Sequence, residues 1–477
     1  MIKGISTINN KDSKMKKLNL LMIIVFVFQG FFTSCTSTPL SQNNDAEITQ
    51  EPQDPPNVLF VKQLQDKLNE NDLSGAIEHF QSIPDELKDD MDLKLLLASL
   101  YISSGDLNNS EKVANEILAQ NPENLDALEL LSITYRAKND NAKYKSILKQ
   151  ILVVDPYNAS ANIIQAEDYA LNKKYKLSRD SYRKALRSEP DNLDALFGYA
   201  QMSYYLDDID SAKTYFETIL QIDSYHAPSL AYMGKLSAED MNYLRATKYI
   251  QDAIKIDPTN YDYYLDLGNY YRNQGKYSDA IDAWNKATEL EPTYFLAYAY
   301  LAGCYDEQNE FDLALENYHK VIQTNPKYYY AYEAAGILEY KNKNFAVARQ
   351  MFDKAYEYNK NFSYPLLNAA MYLQEKDTFN AKKILAALMK TMDKNSTEFN
   401  LVRFYHDSYS RNAESLLISK ISKEDNSNKR GKLYFYMGLY NEINGSDTLA
   451  KEFYVKVTNM QAPMFFEYRL AEWGIEK

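Results

Sequence analysis

Prolines recur at intervals of 34 residues through the middle of this chain. Six of its 14 prolines fall in one register, and Ser224 and Lys360 fill two positions of that register that lack proline. The six are Pro122, Pro156, Pro190, Pro258, Pro292 and Pro326. A fixed period of about 20–50 residues indicates one structural unit repeated along a chain. Because a single short unit cannot bury its own apolar surface, such units must stack on one another.

Residue size follows the same period. When each unit is numbered so that the proline is position 32, eight units run from residue 91 to residue 362 without an insertion. Position 24 is bulky in most of them, with Trp284 and Phe352 as examples. Position 8 is small in all of them: Ala98, Ser132, Ala166, Ala200, Gly234, Gly268, Ala302 and Gly336. Large side chains that face small ones let helices approach closely and fill a dense core.

Each unit has the pattern of two amphipathic helices. In residues 261–294, apolar residues recur at spacings of three and four on both sides of a break at Gly275. Gly275 can adopt the left-handed conformation that ends a helix. Pro292 ends the second helix, because the residue before a proline disfavours the helical conformation. The sequence therefore predicts an all-α fold of antiparallel helix pairs.

This pattern of small, aromatic, alanine and proline positions at fixed offsets resembles the tetratricopeptide repeat (TPR) family. The resemblance implies a right-handed superhelical solenoid whose first helices line a concave groove suited to a peptide or a partner helix. Pentatricopeptide repeats are the alternative type of helix pair. Their period is 35 residues, and their RNA-reading role fits poorly with an acidic chain of net charge −13.

The repeat pattern divides the chain into segments. Nine in-register units are expected over residues 57–362, of which 57–90 has the polar first helix of a capping repeat. Beyond residue 362 the register loosens, so 363–477 is interpreted as degenerate TPR-like units. A last helix, from Met464 to Trp473, is expected to cover the end of the stack.

The resemblance also implies which side chains face the groove, because positions 2, 5, 9, 12 and 13 of a TPR unit usually do so. The predicted groove contacts are Phe197, Gln201, Tyr204, Tyr205, Lys235, Asn269, Arg272, Asn273, Tyr330, Glu333, Tyr340 and Lys341, and the same positions also hold Asp306 and Glu307. Tyrosine mixed with arginine and polar residues is typical of interface anchors. The alternative is that many tyrosines, such as Tyr101 and Tyr271 at position 11, simply pack between helices. The carboxylate clamp of two Lys, two Asn and one Arg that some TPR proteins use is not visible, which weighs against a receptor for chaperone tails.

The N-terminus has the pattern of an export signal. Lys14, Lys16 and Lys17 precede an apolar run from Leu18 to Phe28, and small residues follow before Cys35. The ending resembles a bacterial lipoprotein signal, which implies that residues 1–34 are removed and that Cys35 is lipidated. The alternative is a plain secretory signal with an incidental cysteine. A second start at Met15 is also compatible with the sequence.

Residues 35–56 are polar and contain proline, so they are expected to form a flexible tether between lipid and folded body. The resemblance places the protein in the cell envelope, anchored by lipid and facing the periplasm. Thr36 and Ser37 follow the cysteine without an acidic residue, which favours the outer membrane.

The motifs of common catalytic and metal sites are not found. The sequence has no Gly-rich phosphate loop, HExxH, CxxC or GxSxG motif, and its four His residues are dispersed among different units. Asp207, Asp208 and Asp210 have part of the spacing of a calcium loop but lack its Gly and distal Glu. No catalytic residue, metal or cofactor is therefore expected.

These observations predict an exported, lipid-anchored scaffold that binds a protein or peptide in its groove and supports the assembly or localisation of an envelope complex. Nucleic acid is not an expected partner. A periplasmic ligand-binding subunit associated with a transporter is the alternative, and an enclosed apolar cavity between units would favour it. An enzyme would require a site hidden in residues 363–460.

Overall fold

A computed structural model describes residues 55–407, 411–461 and 463–476 of the chain. Every regular element in these ranges is helical, and consecutive helices form packed pairs. The predicted all-α fold of helix pairs is therefore confirmed. The expected signal sequence, Cys35 and all but the end of the expected tether lie outside the described residues.

The described ranges contain 25 α-helices. In chain order they are α1 Pro56–Asn69, α2 Leu73–His79, α3 Met91–Ser104, α4 Leu107–Gln120, α5 Leu125–Ala137, α6 Asn141–Val154, α7 Ala159–Leu171, α8 Tyr175–Ser188, α9 Leu193–Tyr205, α10 Ile209–Ile222, α11 Ala227–Glu239, α12 Tyr243–Ile256, α13 Tyr261–Asn273, α14 Tyr277–Leu290, α15 Phe295–Glu307, α16 Phe311–Thr324, α17 Tyr329–Lys341, α18 Phe345–Tyr358, α19 Ser363–Gln374, α20 Thr378–Met389, α21 Thr397–Asp407, α22 Arg411–Ser422, α23 Ser427–Ile443, α24 Asp447–Thr458 and α25 Glu467–Glu476. Two short 3-10 turns, Phe80–Ser82 and Asp85–Leu87, follow α2.

The helices repeat the period of the sequence. From α3 to α19, each first helix of a pair begins 34 residues after the previous first helix. From α4 to α18, each second helix follows the same step. Odd-numbered helices are thus the first helices of their pairs up to α23.

One backbone conformation also recurs every 34 residues, at the turn between the two helices of a pair. Nine turn residues in this register have a positive φ: Asn71, Gly105, Asn139, Lys173, Asp207, Met241, Gly275, Asn309 and Lys343. At Asn139, where φ is 57°, the following amide of Asp140 donates to the carbonyl oxygen of Tyr135 at 2.9 Å, as in a Schellman motif. The sequence pointed to this conformation only at Gly275, because glycine is the residue that adopts it without strain.

Asparagine and aspartate side chains begin many of the helices. The Oδ1 atoms of Asn124, Asn158 and Asn192 accept the backbone N–H of the residue three positions later, at 2.8–3.0 Å. Asp140 does the same for a second helix at 3.1 Å. Each cap satisfies an amide that the helix leaves unpaired and contributes about 1 kcal/mol to stability.

Glycine at position 8 makes room for the aromatic ring at position 24. A Cβ atom on Gly268 would lie 2.3 Å from Nε1 of Trp284, and one on Gly336 would lie 3.0 Å from the ring of Phe352. Trp284 is fully buried, and its Nε1 donates to the carbonyl oxygen of Leu265 at 3.2 Å. The small and large positions of the sequence are thus in direct contact.

The chain forms two compact units, one ending at Ser229 and the other beginning at Leu230 within the first turn of α11. In the first unit, the buried residues form successive small clusters, each built from neighbouring helices. This is the arrangement expected of stacked repeats that contact only their neighbours.

The second unit ends in a different arrangement. Buried residues from Tyr332 to Ala471 belong to one large core cluster. The Tyr436 hydroxyl donates to the carbonyl oxygen of Ser363 at 2.9 Å, and the Tyr405 hydroxyl donates to that of Tyr436 at 2.5 Å. The helices after residue 362 therefore share one core. The sequence predicts them only as degenerate TPR-like units.

Candidate functional site

In the first unit, the predicted groove residues lie on α9. Phe197 is half-buried, and its ring centroid lies 5.8 Å from that of Phe216 and 5.3 Å from that of His226. Tyr205 is 42% exposed and stacks on Tyr175 of α8, with ring centroids 5.2 Å apart. Gln201 and Tyr204 lie half-buried on the same helix. Helix α9 thus presents aromatic side chains whose rings contact aromatic rings of the neighbouring segments.

In the second unit, ion pairs link successive first helices. Lys235 Nζ on α11 lies 3.5 Å from Asp266 Oδ2 on α13. Arg272 at the end of α13 forms an ion pair with Glu307 at the end of α15. Burial raises the pKa of the Asp266 carboxyl, and the Lys235 ammonium partly opposes this change. Lys235 and Arg272, two charged residues predicted to face the groove, thus each form an ion pair with the following 34-residue repeat.

The two predicted asparagines lie one turn apart on α13. The side-chain amide of Asn273 donates to the backbone carbonyl oxygen of Asn269 at 2.8 Å. Asn273 is exposed and Asn269 is half-buried. The amide nitrogen of Asn273 thus contacts the backbone of its own helix.

Helix α17 carries the last four predicted residues, and the structure separates them. Tyr330 is 53% exposed, whereas Glu333 is half-buried and accepts a hydrogen bond from the Tyr364 hydroxyl. Tyr340 packs against the large core cluster, and the Gln374 side chain donates to its hydroxyl at 3.4 Å. Lys341 Nζ lies 3.5 Å from the centroid of the Phe311 ring. Tyr340 and Lys341, which were expected to face an open groove, thus lie against other helices.

A ridge of six aromatic rings runs along the turns that join one helix pair to the next. Its ring centroids are 4.0–6.4 Å apart. We call it the aromatic ridge; its members are Tyr261, Tyr294, Phe295, Tyr328, Tyr329 and Tyr330. Five members are half-buried and Tyr330 is exposed. Burial, with smaller effects of nearby acidic groups, raises the pKa of Tyr294 to about 12, so its hydroxyl stays protonated at physiological pH.

The sequence predicted only one member of this ridge, Tyr330. The other five occupy positions 34 and 1 of their units, at the boundary where one unit meets the next. An aromatic residue at these boundary positions in successive units was the available signal. This pattern alone does not indicate a ridge. The turn geometry does so, because it brings the ring that ends one repeat next to the ring that begins the following repeat.

Comparison with known families identifies the repeat. Profiles described as a tetratricopeptide repeat or TPR repeat match residues 67–132, 165–227, 249–282, 268–305 and 305–364. These ranges fall in both compact units and follow the helix pairs already described. The chain contains tetratricopeptide repeats.

Two curated proteins are similar to part of this chain. Over 181 residues, 24% are identical to the DnaJ homolog subfamily C member 7 homolog of Schizosaccharomyces pombe, covering 35% of this chain and 38% of that protein. Over 203 residues, 28% are identical to the DnaJ protein P58IPK homolog of Arabidopsis thaliana, covering 39% of this chain and 41% of that protein. The chain thus spans about two fifths of the length of either relative.

A solved structure of MamA is similar to part of this chain. The sequences are 26% identical, and the match covers 34% of this chain and 94% of the MamA chain with a TM-score of 0.32.

The described residues were compared with the environments of metal sites and reactive thiols. Within the described ranges, His, Cys, Asp and Glu residues form no group of three or more that could hold a metal ion. Cys304 is buried in α15, the Gln308 side chain donates to its Sγ at 3.2 Å, and burial raises the pKa of its thiol. A buried thiol with a raised pKa is a poor nucleophile.

Two surface depressions in the described part of the chain are open to solvent. One, of about 650 Å³, lies along α24 between Asp447 and Lys456, and another, of about 320 Å³, lies between Pro122 and Val154. Neither is enclosed as a small-molecule site usually is. Among the described helices, none is both long enough and apolar enough to cross a bilayer.

Proposed function

We propose that this chain is an exported, lipid-anchored TPR scaffold that binds a partner protein or peptide and supports the assembly or localisation of a complex in the cell envelope. The single observation that carries the binding role is the aromatic ridge beside the first helices α13, α15 and α17. The proposal includes no enzymatic activity, cofactor or nucleic-acid partner.

The aromatic ridge has the chemistry of an interface anchor. Tyrosine offers a large, rigid contact area and one hydroxyl, and it loses little conformational freedom when it binds. Contacts between neighbouring rings hold each ring in place before a partner arrives, which reduces the entropy lost on association. An amphipathic helix or an extended segment with spaced apolar side chains suits such a surface.

The ion pairs along the first helices contribute selectivity more than affinity. Arg272 and Glu307 are 41% and 47% exposed, and exposed pairs of this kind each contribute less than about 1 kcal/mol. Charges on a partner that match this pattern speed the encounter and exclude like charges. We therefore expect affinity to depend on the rings and the choice of partner to depend on the charged pairs.

We expect alanine at Tyr328 and Tyr330 to reduce partner capture at least tenfold, because two aromatic anchors of about 1–2 kcal/mol each are lost. The measurement is a crosslinked pull-down from cells, quantified by mass spectrometry against the wild type. A matched control replaces Tyr358 and Phe379 with alanine. Both are exposed aromatic residues, at 48% and 77%, but they belong to α18 and α20 and lie outside the aromatic ridge. The same list of partners at the same yield from both variants would show that the ridge is not the binding surface.

The envelope location is tested separately at Cys35. We expect Cys35→Ser to release the protein from the membrane fraction into the soluble fraction, because several acyl chains are needed for stable anchoring and serine cannot carry them by this route. The measurement is fractionation of cells followed by immunoblotting. If the variant stays with membranes as the wild type does, lipid at Cys35 is not the anchor.

A further inference from the structure

The C-terminal helix α25 reaches back to helices more than 120 residues earlier in the second unit. The Arg469 guanidinium donates two hydrogen bonds to Asp306, Nη1 to Oδ2 at 2.6 Å and Nη2 to Oδ1 at 2.7 Å. The Tyr318 hydroxyl also lies 3.4 Å from Asp306 Oδ2. A bidentate arginine–carboxylate pair is among the stronger and more directional polar contacts in proteins. Asp306 occupies position 12 of its unit, which the TPR resemblance assigns to the groove.

An aromatic cluster one turn further along α25 joins the same surface. The Trp473 ring meets the Phe311 ring edge to face, with centroids 5.8 Å apart. Lys341 Nζ lies 3.5 Å from the centroid of Phe311 and 4.4 Å from that of Trp473, so the ammonium contacts both rings. An ammonium over the face of an aromatic ring is attracted by the negative charge of that face. Two residues of α25, Arg469 and Trp473, thus contact side chains from α15, α16 and α17.

The same helix also carries unfavourable contacts. Glu467, its first residue, is fully buried, and neither of its carboxylate oxygens makes a hydrogen bond of ordinary geometry in the described structure. The Arg469 guanidinium lies near Lys341, and burial together with this second cation lowers the pKa of Lys341. A buried carboxylate without hydrogen bonds and two neighbouring cations both weaken the docked state. The helix is therefore held by specific contacts but opposed by others.

We propose that α25 is an internal occupant of a helix-binding surface formed by Asp306, Phe311 and Lys341, and that a partner helix bearing a basic residue and an aromatic residue one turn apart displaces it. This inference rests on the proposed scaffold function and specifies how part of its surface is regulated. The partner chemistry follows from the contacts of α25: a guanidinium for the Asp306 carboxylate, and an indole or phenyl ring for the Phe311–Lys341 pair. The surface changes its occupant only when a helix of matching chemistry is present.

The test uses the full chain and a fluorescein-labelled peptide of residues 463–476, with fluorescence anisotropy as the measurement. The wild type is expected to bind the peptide at least tenfold more weakly than Arg469→Ala/Trp473→Ala, because α25 occupies the surface in the wild type and is loosened in the variant. Adding Asp306→Asn to that variant is expected to remove the gain. A peptide with alanine at both α25 positions is the matched control and is expected not to bind.

Equal affinity of wild type and loosened variant, or binding that is insensitive to Asp306→Asn, overturns the proposal. If the loosened variant loses its helical circular dichroism, the wild type is used instead, with unlabelled peptide in excess and hydrogen exchange as the readout. Exchange of the α25 amides is then expected to rise at least tenfold, and unchanged exchange overturns the proposal. Because none of these variants alters the aromatic ridge, failure here combined with partner loss in the ridge variants discards the displacement and leaves the scaffold function standing.

Discussion

Replacing Trp284 with alanine is expected to lower the free energy of unfolding by about 3–5 kcal/mol. Trp284 is fully buried between α13, α14 and α15, and it stacks on Tyr300 with ring centroids 5.5 Å apart. Its removal leaves a cavity beside Gly268, which has no side chain to fill the space. The measurement is urea-induced unfolding followed by far-ultraviolet circular dichroism.

A matched control replaces Tyr277 on the same helix, which is 42% exposed. Tyr277→Ala is expected to change the free energy of unfolding by less than about 0.5 kcal/mol, as most exposed substitutions do. A loss below about 1 kcal/mol for Trp284→Ala would show that the contact between positions 8 and 24 is not the main support of this unit.

Glu467→Gln is expected to stabilise the protein by about 2 kcal/mol at pH 8, because it removes the charge of a buried carboxylate whose oxygens make no hydrogen bond of ordinary geometry. Burial raises the pKa of Glu467, and Lys432 on α23 partly opposes this change. Ser363 of α19, Glu333 of α17 and Tyr436 of α23 also face the carboxyl. Since the folded state binds this proton more tightly than the unfolded state does, stability is greatest when Glu467 is protonated and falls as the pH rises above the usual glutamate range.

The measurement is the thermal midpoint of both proteins between pH 4 and pH 8. We expect the wild type to lose stability relative to Glu467→Gln as the pH rises, and the two curves to converge at acid pH. Glu472→Gln on the exposed side of the same helix is the control and is expected to follow the wild type. Parallel curves for all three proteins would show that the Glu467 carboxyl carries no penalty in the folded state.

The regular part of the fold could be predicted from the sequence because its contacts are local. The proline register, the small residues at position 8 and the large residues at position 24 describe a helix pair and its neighbour, and these are the contacts found at Gly268 and Trp284. The predicted last helix, Met464 to Trp473, is present as Glu467–Glu476. It packs on α23 and α24.

What the sequence did not reveal are contacts between residues far apart in the chain. Arg469 and Asp306 are separated by 163 positions, and no period links them. The hydrogen bond from Tyr436 to Ser363 spans 73 positions and helps to gather the last helices around one core. Repeat statistics describe neighbouring units, so they do not indicate where a chain departs from the array and returns to it.

The candidate site was predicted only in part for the same reason. Tyr330, Lys235 and Arg272 were predicted from their positions in a unit. Tyr340 and Lys341 were expected at an open groove, but α18 and α19 pack against Tyr340 and α25 covers Lys341. Position within a unit determines the direction of a side chain, whereas its exposure depends on which other helices arrive at that surface.

The nine turns with positive φ have a consequence for how the array tolerates changes in length. Each turn sets the phase of the helix that follows it, and one residue corresponds to about 100° of helix rotation. A single insertion or deletion between two such turns would rotate the next apolar stripe away from its neighbour, whereas a substitution that keeps the spacing would leave the phase intact. After Lys343 the next such residue, Lys376, comes 33 positions later, and the helices from there onward converge on a shared core. The constant 34-residue spacing of these turns, more than the identity of their residues, therefore distinguishes the stacked repeats from the last helices, which share one core.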